Sequence, residues 1–210
     1  AMLVTLGVFL GAAPFPYATI LMSHGVVVAL IAIALWASCD SGGAMRGRPE
    51  RWRLPVTGFC GGLAIACEYT ASLAVGAVFL LAIAQRPRVD SVCIGATLLL
   101  GAAPPLLLIP AYHWICFGSP LTIAYSHDFG FPTMKQGFFG IGWPDARNAI
   151  ELLFLPARGL FWWSPFLGLA VLGYRQLWKK HRLWFFVCWY VVAMQVVVIS
   201  GFGDWRAGAS

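Results

Sequence analysis

The side chains that could do chemistry in this sequence are few, and they stand inside or beside long apolar runs. The tail after residue 200 places an acid, an indole and a guanidinium close together. This combination suits a phosphorylated sugar, because a carboxylate accepts hydrogen bonds from hydroxyls, a ring covers the apolar sugar face and an arginine binds phosphate. The candidate substrate-binding residues are Glu68, His127, Asp128, Arg158, Trp162, Asp204, Trp205 and Arg206.

Several of these candidates have a simpler alternative. Arg158 stands beside Trp162, where its guanidinium could bind a phosphate or could extend from an aromatic belt to the lipid headgroups. His127 and Asp128 could form a solvated turn. We interpret His24 and His113 as hydrogen-bonded packing residues. The histidines are widely spaced and no Cys-x-x-Cys pair occurs, so the sequence implies no metal site and no cofactor.

The composition indicates an integral membrane protein. Of the 210 residues, 60% are hydrophobic and 10% are charged, and the mean hydropathy is +0.79. These values exclude a soluble globule, and ten Trp, fifteen Phe and six Tyr exclude a disordered chain. The net charge of +6 could reflect a nucleic-acid partner or the cytoplasmic membrane surface. The position of the basic residues decides between the two.

The apolar runs predict an all-α, polytopic transmembrane helix bundle of about five full spans within one transmembrane domain, 1–210. A helix needs about 20 apolar residues to cross the hydrocarbon core. The chain begins Ala-Met and ends directly after a polar stretch, so we expect a fragment of a longer protein. The runs are 2–13, 17–37, 54–84, 91–116 with a bend at Pro104 and Pro105, 159–177 and 183–199.

The segment 54–84 is either one tilted span or two half-length helices that meet near Glu68. With two half-length helices, the basic loops share one side, with ten basic residues against four on the other side, whereas a single span gives eight against six. The positive-inside rule therefore favours the hairpin. It makes 39–53 a cytoplasmic basic loop and 118–158 an extracytoplasmic loop. The basic excess then needs no nucleic-acid partner.

Glu68 would lie inside the membrane in this hairpin. An arm of about 14 residues reaches only about 21 Å, which is shorter than the hydrocarbon core. An ionised carboxylate at this depth costs at least about 2.5–3.5 kcal/mol unless it is paired, hydrated or protonated. Glu68 therefore predicts either a functional site in a water-filled cavity or a structural ion pair.

The outer loop 118–158 is too long for a simple connection, and unstructured loops of this length are uncommon unless they are functional. Asp145 is placed to cap a helix that begins at Ala146. The apolar residues of that helix, from Ile150 to Phe154, predict an interfacial helix on the membrane surface.

A set of short motifs extends over nearly the whole chain in a fixed order. In this order the motifs resemble those of bacterial polytopic glycosyltransferases of the GT-C type. The motifs are Leu6-Gly7, Pro16-Tyr17-Ala18-Thr19, Ser23-His24, Gly62-Leu63-Ala64, Glu68-Tyr69, Tyr112-His113-Trp114, Phe117-Gly118-Ser119-Pro120-Leu121, Gln136-Gly137-Phe138-Phe139-Gly140, Arg158-Gly159-Leu160-Phe161, Ser164-Pro165 and Asp204-Trp205.

The resemblance implies transfer of a sugar from a polyprenyl-phosphate carrier to a glycan, lipid or protein acceptor. The site would face the periplasm or exterior from the bacterial inner membrane, surrounded by membrane lipid, and would need no cofactor beyond the lipid-linked donor. The resemblance adds Tyr69 to the substrate-binding residues. It also places the catalytic acid in an outer loop upstream of this chain, so the general base is expected outside these residues.

Two other functions stay open at this stage. A broken hairpin around a membrane acid is also typical of a transporter or flippase, although the sequence contains no inverted repeat. A non-catalytic membrane subunit is the third possibility.

Overall fold

The computed structural model describes residues 23–39, 52–86, 90–122, 140–156 and 159–202. This part of the chain is built from α-helices and short 3-10 segments and contains no β-strand, which confirms the all-α class. It belongs to two compact units, Ile20–Cys116 and Ala1–Thr19 with Phe117–Ser210. The helices are α1 Ser23–Ser38, α2 Arg53–Cys67, α3 Ser72–Ala84, α4 Ser91–Phe117, α5 Ala146–Phe154, α6 Leu160–Trp163, α7 Gly168–Lys180 and α8 Arg182–Ser200.

Two of these helices, α4 and α8, are long and apolar enough to cross a membrane. They contain 27 and 19 residues, which correspond to about 40 and 28 Å of helix. Helices α1 and α2 and the segment Tyr69–Ala84 are apolar but have only 10–17 residues. The described residues thus agree with a membrane protein but do not contain five full-length spans. The predicted run 2–13 lies outside them.

The segment 54–84 forms the predicted hairpin of two half-length helices. Helix α2 ends at Cys67, Glu68 has an extended backbone with φ −155° and ψ 116°, and a 3-10 turn, Tyr69–Ala71, leads into α3. The two arms are antiparallel, because Gly61 of α2 lies against Val75 of α3.

Helices α1 and α2 also pack antiparallel, through small side chains. Ala34 and Cys60 are buried together in one cluster, and Ala64 is buried against Val27 in another. Thr57 is fully buried, and its hydroxyl donates to its own helix at Arg53 O over 2.9 Å. Small residues at such contacts let helix backbones approach closely, which is typical of helix packing in membranes.

A glycine pair spaced by four residues makes the contact between α2 and α4. A Cβ on Gly58 would collide with the backbone of Leu98, and a Cβ on Gly62 would lie 2.6 Å from the carbonyl oxygen of Ala102. From the other side, a Cβ on Gly101 would lie 2.5 Å from the carbonyl oxygen of Pro55. The two helices therefore touch backbone to backbone, as in Gly-x-x-x-Gly contacts of membrane proteins.

In the second unit, α7 and α8 form a helical hairpin that turns at His181. Phe185 packs edge-on against Tyr174 and Trp178, with ring centroids 5.4 and 4.9 Å apart. The Arg182 guanidinium lies 5.2 Å from the centre of the Trp178 ring, where a cation is attracted to the ring face. The basic residues Lys179 and Lys180 end α7, so the turn is the cationic end of this hairpin.

The prediction of one continuous span over 159–177 is wrong. This segment consists of α6, a 3-10 turn over Pro165–Leu167 and α7. The break falls at Ser164, with φ −137° and ψ 63°. The ring of the following Pro165 disfavours helical backbone at Ser164, and proline itself supplies no N–H for a helical hydrogen bond.

We predict that Gly62→Ala destabilises the first unit, whereas Gly76→Ala does not. The new methyl group at position 62 would lie 2.6 Å from Ala102 O, so α2 and α4 must separate. Overpacking of this kind costs about 1–3 kcal/mol. A Cβ at Gly76 meets nothing within 4 Å, so that variant is the matched control. Unfolding free energies measured in mixed micelles should separate the two variants, and equal values would contradict the close contact.

Candidate functional site

The first candidate site lies where the α2–α3 hairpin breaks. The Glu68 N–H donates to Ala64 O over 3.0 Å and completes α2, while Glu68 O accepts from the Ala71 N–H over 3.1 Å and starts the next turn. A single extended residue thus separates two helical segments without leaving its own backbone groups unpaired. From this break, the Glu68 side chain extends towards α1.

Both carboxylate oxygens of Glu68 have a partner. His24 Nδ1 of α1 lies 2.6 Å from Glu68 Oε2. The Thr70 hydroxyl donates to Glu68 Oε1 over 2.8 Å. The side chains of His24 and Glu68 are 46% and 30% exposed, so the group is held by hydrogen bonds but is not sealed from its surroundings. We call His24, Glu68 and Thr70 the Glu68 cluster.

This arrangement fixes a hydrogen-bond acceptor at a helix break. The structural alternative predicted for Glu68, an ion pair, is satisfied when His24 is protonated, because the two groups are in contact. The functional alternative needs an acceptor that a ligand can reach, and the partial exposure of Glu68 provides it. The cluster can therefore stabilise the fold and bind a ligand with the same carboxylate.

A second polar contact lies next to the cluster in sequence. The Tyr69 hydroxyl is 3.4 Å from Nε2 of His113, which is buried on α4. The hydrogen bonds expected for His24 and His113 are confirmed, and the structure shows in addition that the partner of each is a candidate site residue. Both pairs are separated by 44 residues in the chain, so no local pattern could have found them.

The opposite end of the first unit is cationic. Arg53 Nη2 donates to Trp36 O over 3.3 Å, and Arg86 Nη1 donates to Ser38 O over 3.0 Å. Arg53 and Arg86, two of the basic residues expected to share one side, therefore lie at the same end of the unit, at the C-terminus of α1. Burial raises the pKa of the Cys39 thiol at this end, although Arg53 lowers it, so Cys39 is not an activated thiol.

The second candidate site lies at the end of α8 away from the basic turn. The predicted N-cap is confirmed, because the Arg147 N–H donates to Asp145 Oδ1 over 2.8 Å and α5 begins at Ala146. Asn148 Nδ2 donates to Ser200 O over 3.1 Å and ties α5 to α8.

After α8, the chain contacts the loop that precedes α5. The Gly142 N–H donates to Gly201 O over 2.7 Å, and Ile141 pairs with Phe202 in an isolated bridge. A Cβ on Gly201 would lie 2.8 Å from Gly142 O, so this close approach depends on glycine. The tail that carries the predicted acid, indole and arginine thus starts beside the loop.

Trp162 lies on the short helix α6, which follows α5 through a tight turn at Gly159. The Gly159 N–H donates to Leu155 O over 2.6 Å, and a Cβ there would collide with that backbone. Trp163 Nε1 donates to Pro156 O over 2.9 Å and is thereby fixed. The Trp162 ring is 62% exposed and can cover an apolar ligand face.

Six of the predicted site residues lie outside the described part of the chain and stay predictions. Across the described ranges, the structure brings together no group of three or more His, Cys, Asp or Glu side chains that could hold a metal ion. The six residues are His127, Asp128, Arg158, Asp204, Trp205 and Arg206.

We predict that Asp145→Ala loosens α5, whereas Asp145→Ser does not. Removing the capping oxygen leaves the Arg147 N–H without its acceptor and costs about 1 kcal/mol, while serine supplies an equivalent oxygen. Amide hydrogen exchange over α5 should accelerate about fivefold in the alanine variant. Unchanged exchange in Asp145→Ala would show that the cap does not hold the helix.

Comparisons with known proteins do not assign the chain to a family. No protein-family model matches it, and neither a curated protein nor a solved structure does. The resemblance to membrane glycosyltransferases therefore rests on the ordered motifs alone.

Proposed function

We propose that the chain is part of a polytopic membrane glycosyltransferase that transfers a sugar from a polyprenyl-phosphate carrier to an acceptor at the outer face of the membrane. The observation that carries the proposal is the Glu68 cluster: a carboxylate held by His24 and Thr70 at the end of the hairpin away from Arg53 and Arg86. It would supply hydrogen-bond acceptors for sugar hydroxyls within the outer leaflet of the membrane.

The orientation of the first unit follows from the positive-inside rule. Arg53 and Arg86 both bind carbonyls at the C-terminus of α1. Because cytoplasmic ends of spans are rich in Arg and Lys, this end would face the cytoplasm. The Glu68 end of the hairpin would then face the periplasm or exterior of a bacterial inner membrane.

The same rule can be applied to the second unit on its own. Its α7–α8 turn carries Lys179, Lys180 and Arg182 and would be cytoplasmic. The other end of α8, with α5 bound to it, would then be extracytoplasmic. Helix α5 would lie at the interface, because its apolar residues Ile150 and Phe154 are exposed.

The chemistry of such a transfer divides among the candidate residues. Glu68, Asp128 and Asp204 would bind or orient sugar hydroxyls, and Arg158 and Arg206 would stabilise the departing phosphate. Trp162 and Trp205 would cover the apolar ring face. The general base that takes the proton of the acceptor would come from outside these residues. The lipid-linked donor would be the co-substrate, and the sequence implies no metal.

A transporter or flippase is the second candidate. The observation that favours it is the break at Glu68, because half-length helices around a membrane acid are typical of transporter sites. Proton-coupled uptake into proteoliposomes that is lost in Glu68→Gln would support this alternative.

We predict that Arg158→Ala and Asp204→Asn, made in the protein expressed from its natural gene, each lower sugar transfer by about 10²-fold or more at limiting donor. Loss of the Arg158 guanidinium removes a group that stabilises developing charge, which has an effect of this size. Loss of the Asp204 carboxylate misplaces the sugar, which can have an effect of similar size. The assay would follow labelled sugar from polyprenyl-phosphate hexoses and pentoses into membrane acceptors. Lys179→Ala is the control, because it also removes one positive charge but at the basic turn of α7 and α8, away from the candidate site. Unchanged transfer in both variants would refute the transferase.

We also predict that cysteines introduced beside Arg86 and beside Lys135 are labelled from opposite sides of the membrane. The hairpin topology puts the first position in the cytoplasm and the second in the outer loop. The measurement uses a membrane-impermeant maleimide on cells and on inverted vesicles, in a background without the six natural cysteines. Labelling of both positions from one side would overturn the topology.

A further inference from the structure

The acceptor capacity of Glu68 is only half used inside the first unit. An ionised carboxylate offers about four lone-pair positions. His24 takes one on Oε2 and Thr70 takes one on Oε1. About two positions remain, and the side chain is 30% exposed. The carboxylate is therefore oriented from two directions and still able to accept hydrogen bonds from a ligand.

The surroundings of this carboxylate do not suit a cation. A bound Na⁺, Mg²⁺ or Ca²⁺ needs several oxygen ligands around it, usually with more than one carboxylate. In the described ranges no second acid joins Glu68 in a potential ligand group. The His24 Nδ1, which donates to Oε2, cannot also be a metal ligand while it keeps that hydrogen bond.

We propose that Glu68 accepts hydrogen bonds from the hydroxyls of a neutral sugar or other polyol, and that His24 and Thr70 are positioning residues for it. This inference rests on the proposed function and names the ligand class of the same site. Hydroxyl donors need only the remaining lone pairs of the carboxylate, and they leave both existing hydrogen bonds intact. His24 orients Oε2 from α1, and Thr70 orients Oε1 from the turn that follows Glu68.

The chain offers conservative and disruptive variants at both positions. Asparagine at position 24 can place an amide N–H near the site of the His24 Nδ1, whereas leucine fills similar space without a donor. Serine at position 70 keeps the hydroxyl, and valine replaces it with a methyl group of similar shape. If the role is positioning, His24→Asn and Thr70→Ser retain binding, while His24→Leu and Thr70→Val lose it.

The test uses infrared difference spectroscopy on the full-length protein in lipid nanodiscs. The carboxylate band of Glu68 is the one that disappears in Glu68→Gln. Glucose, mannose and arabinose are titrated as neutral probes, and NaCl and MgCl2 are titrated as cation probes. We expect a sugar to shift the band while the salts do not. The sugar concentration that gives half of the maximal band shift should rise at least about tenfold in His24→Leu and Thr70→Val. In His24→Asn and Thr70→Ser it should stay within about threefold of the value for the unchanged protein.

The outcomes separate this inference from the proposed function. A band shift with Na⁺ or Mg²⁺, or no shift with any of the sugars, would overturn it. Equal half-shift sugar concentrations in His24→Leu and His24→Asn would overturn the positioning role. Circular dichroism of each variant tests whether the variant is still folded. A sugar shift together with absent transfer activity would leave the polyol site standing and refute the transferase instead.

Discussion

The first unit is organised around one constraint, which is that a carboxylate between two apolar helices must have partners. Glu68 obtains one partner from the turn that follows it and the other from the start of α1. The second partner can be reached only if α1 runs antiparallel to α2, with its start beside the end of α2. The two helices contain 16 and 15 residues, so their other ends also lie close together, where Arg53 bonds to Trp36 O. Pairing of the acid thus fixes the register of the helices that surround it.

At the other end of the α1–α2 pair, backbone carbonyl groups need hydrogen-bond donors. The last carbonyls of α1 have no partner within the helix and carry the negative end of its dipole. Arg53 and Arg86 come from the two ends of the hairpin and donate to these carbonyls. The register is therefore held at both ends, by an acid at one and by two guanidinium groups at the other. On the positive-inside rule, this polarity would give the unit a preferred direction in a membrane.

Sequence reasoning succeeded where the signal was local or was a sum of charges. The break at Glu68 followed from the summed charges of the loops, the cap at Asp145 could be read within a few residues, and the apolar run 91–116 predicted α4. The break at Ser164 was equally local, because Pro165 marks it, but the apolar composition of the run concealed it. The hydrogen bonds of His24 and His113 were expected, but their partners could not be identified, since these partners are 44 residues away. A contact between residues so far apart in the chain depends on how the helices align with each other, and a single sequence does not show this alignment.

The same packing bears on the choice between a transferase and a transporter. A transporter must expose its site to both faces in turn, commonly by moving one group of helices against another. Helix α1 is hydrogen-bonded to Glu68 through His24. Helix α2 packs against α4 through glycines that leave no space between the two backbones. A movement that carried Glu68 to the other face would have to move these helices as one body or break the contacts that pair the acid. A carboxylate with fixed partners at one end of its unit suits a ligand that arrives and leaves from a single side, as the proposed transferase requires, whereas a transporter would need the unit to move as one body.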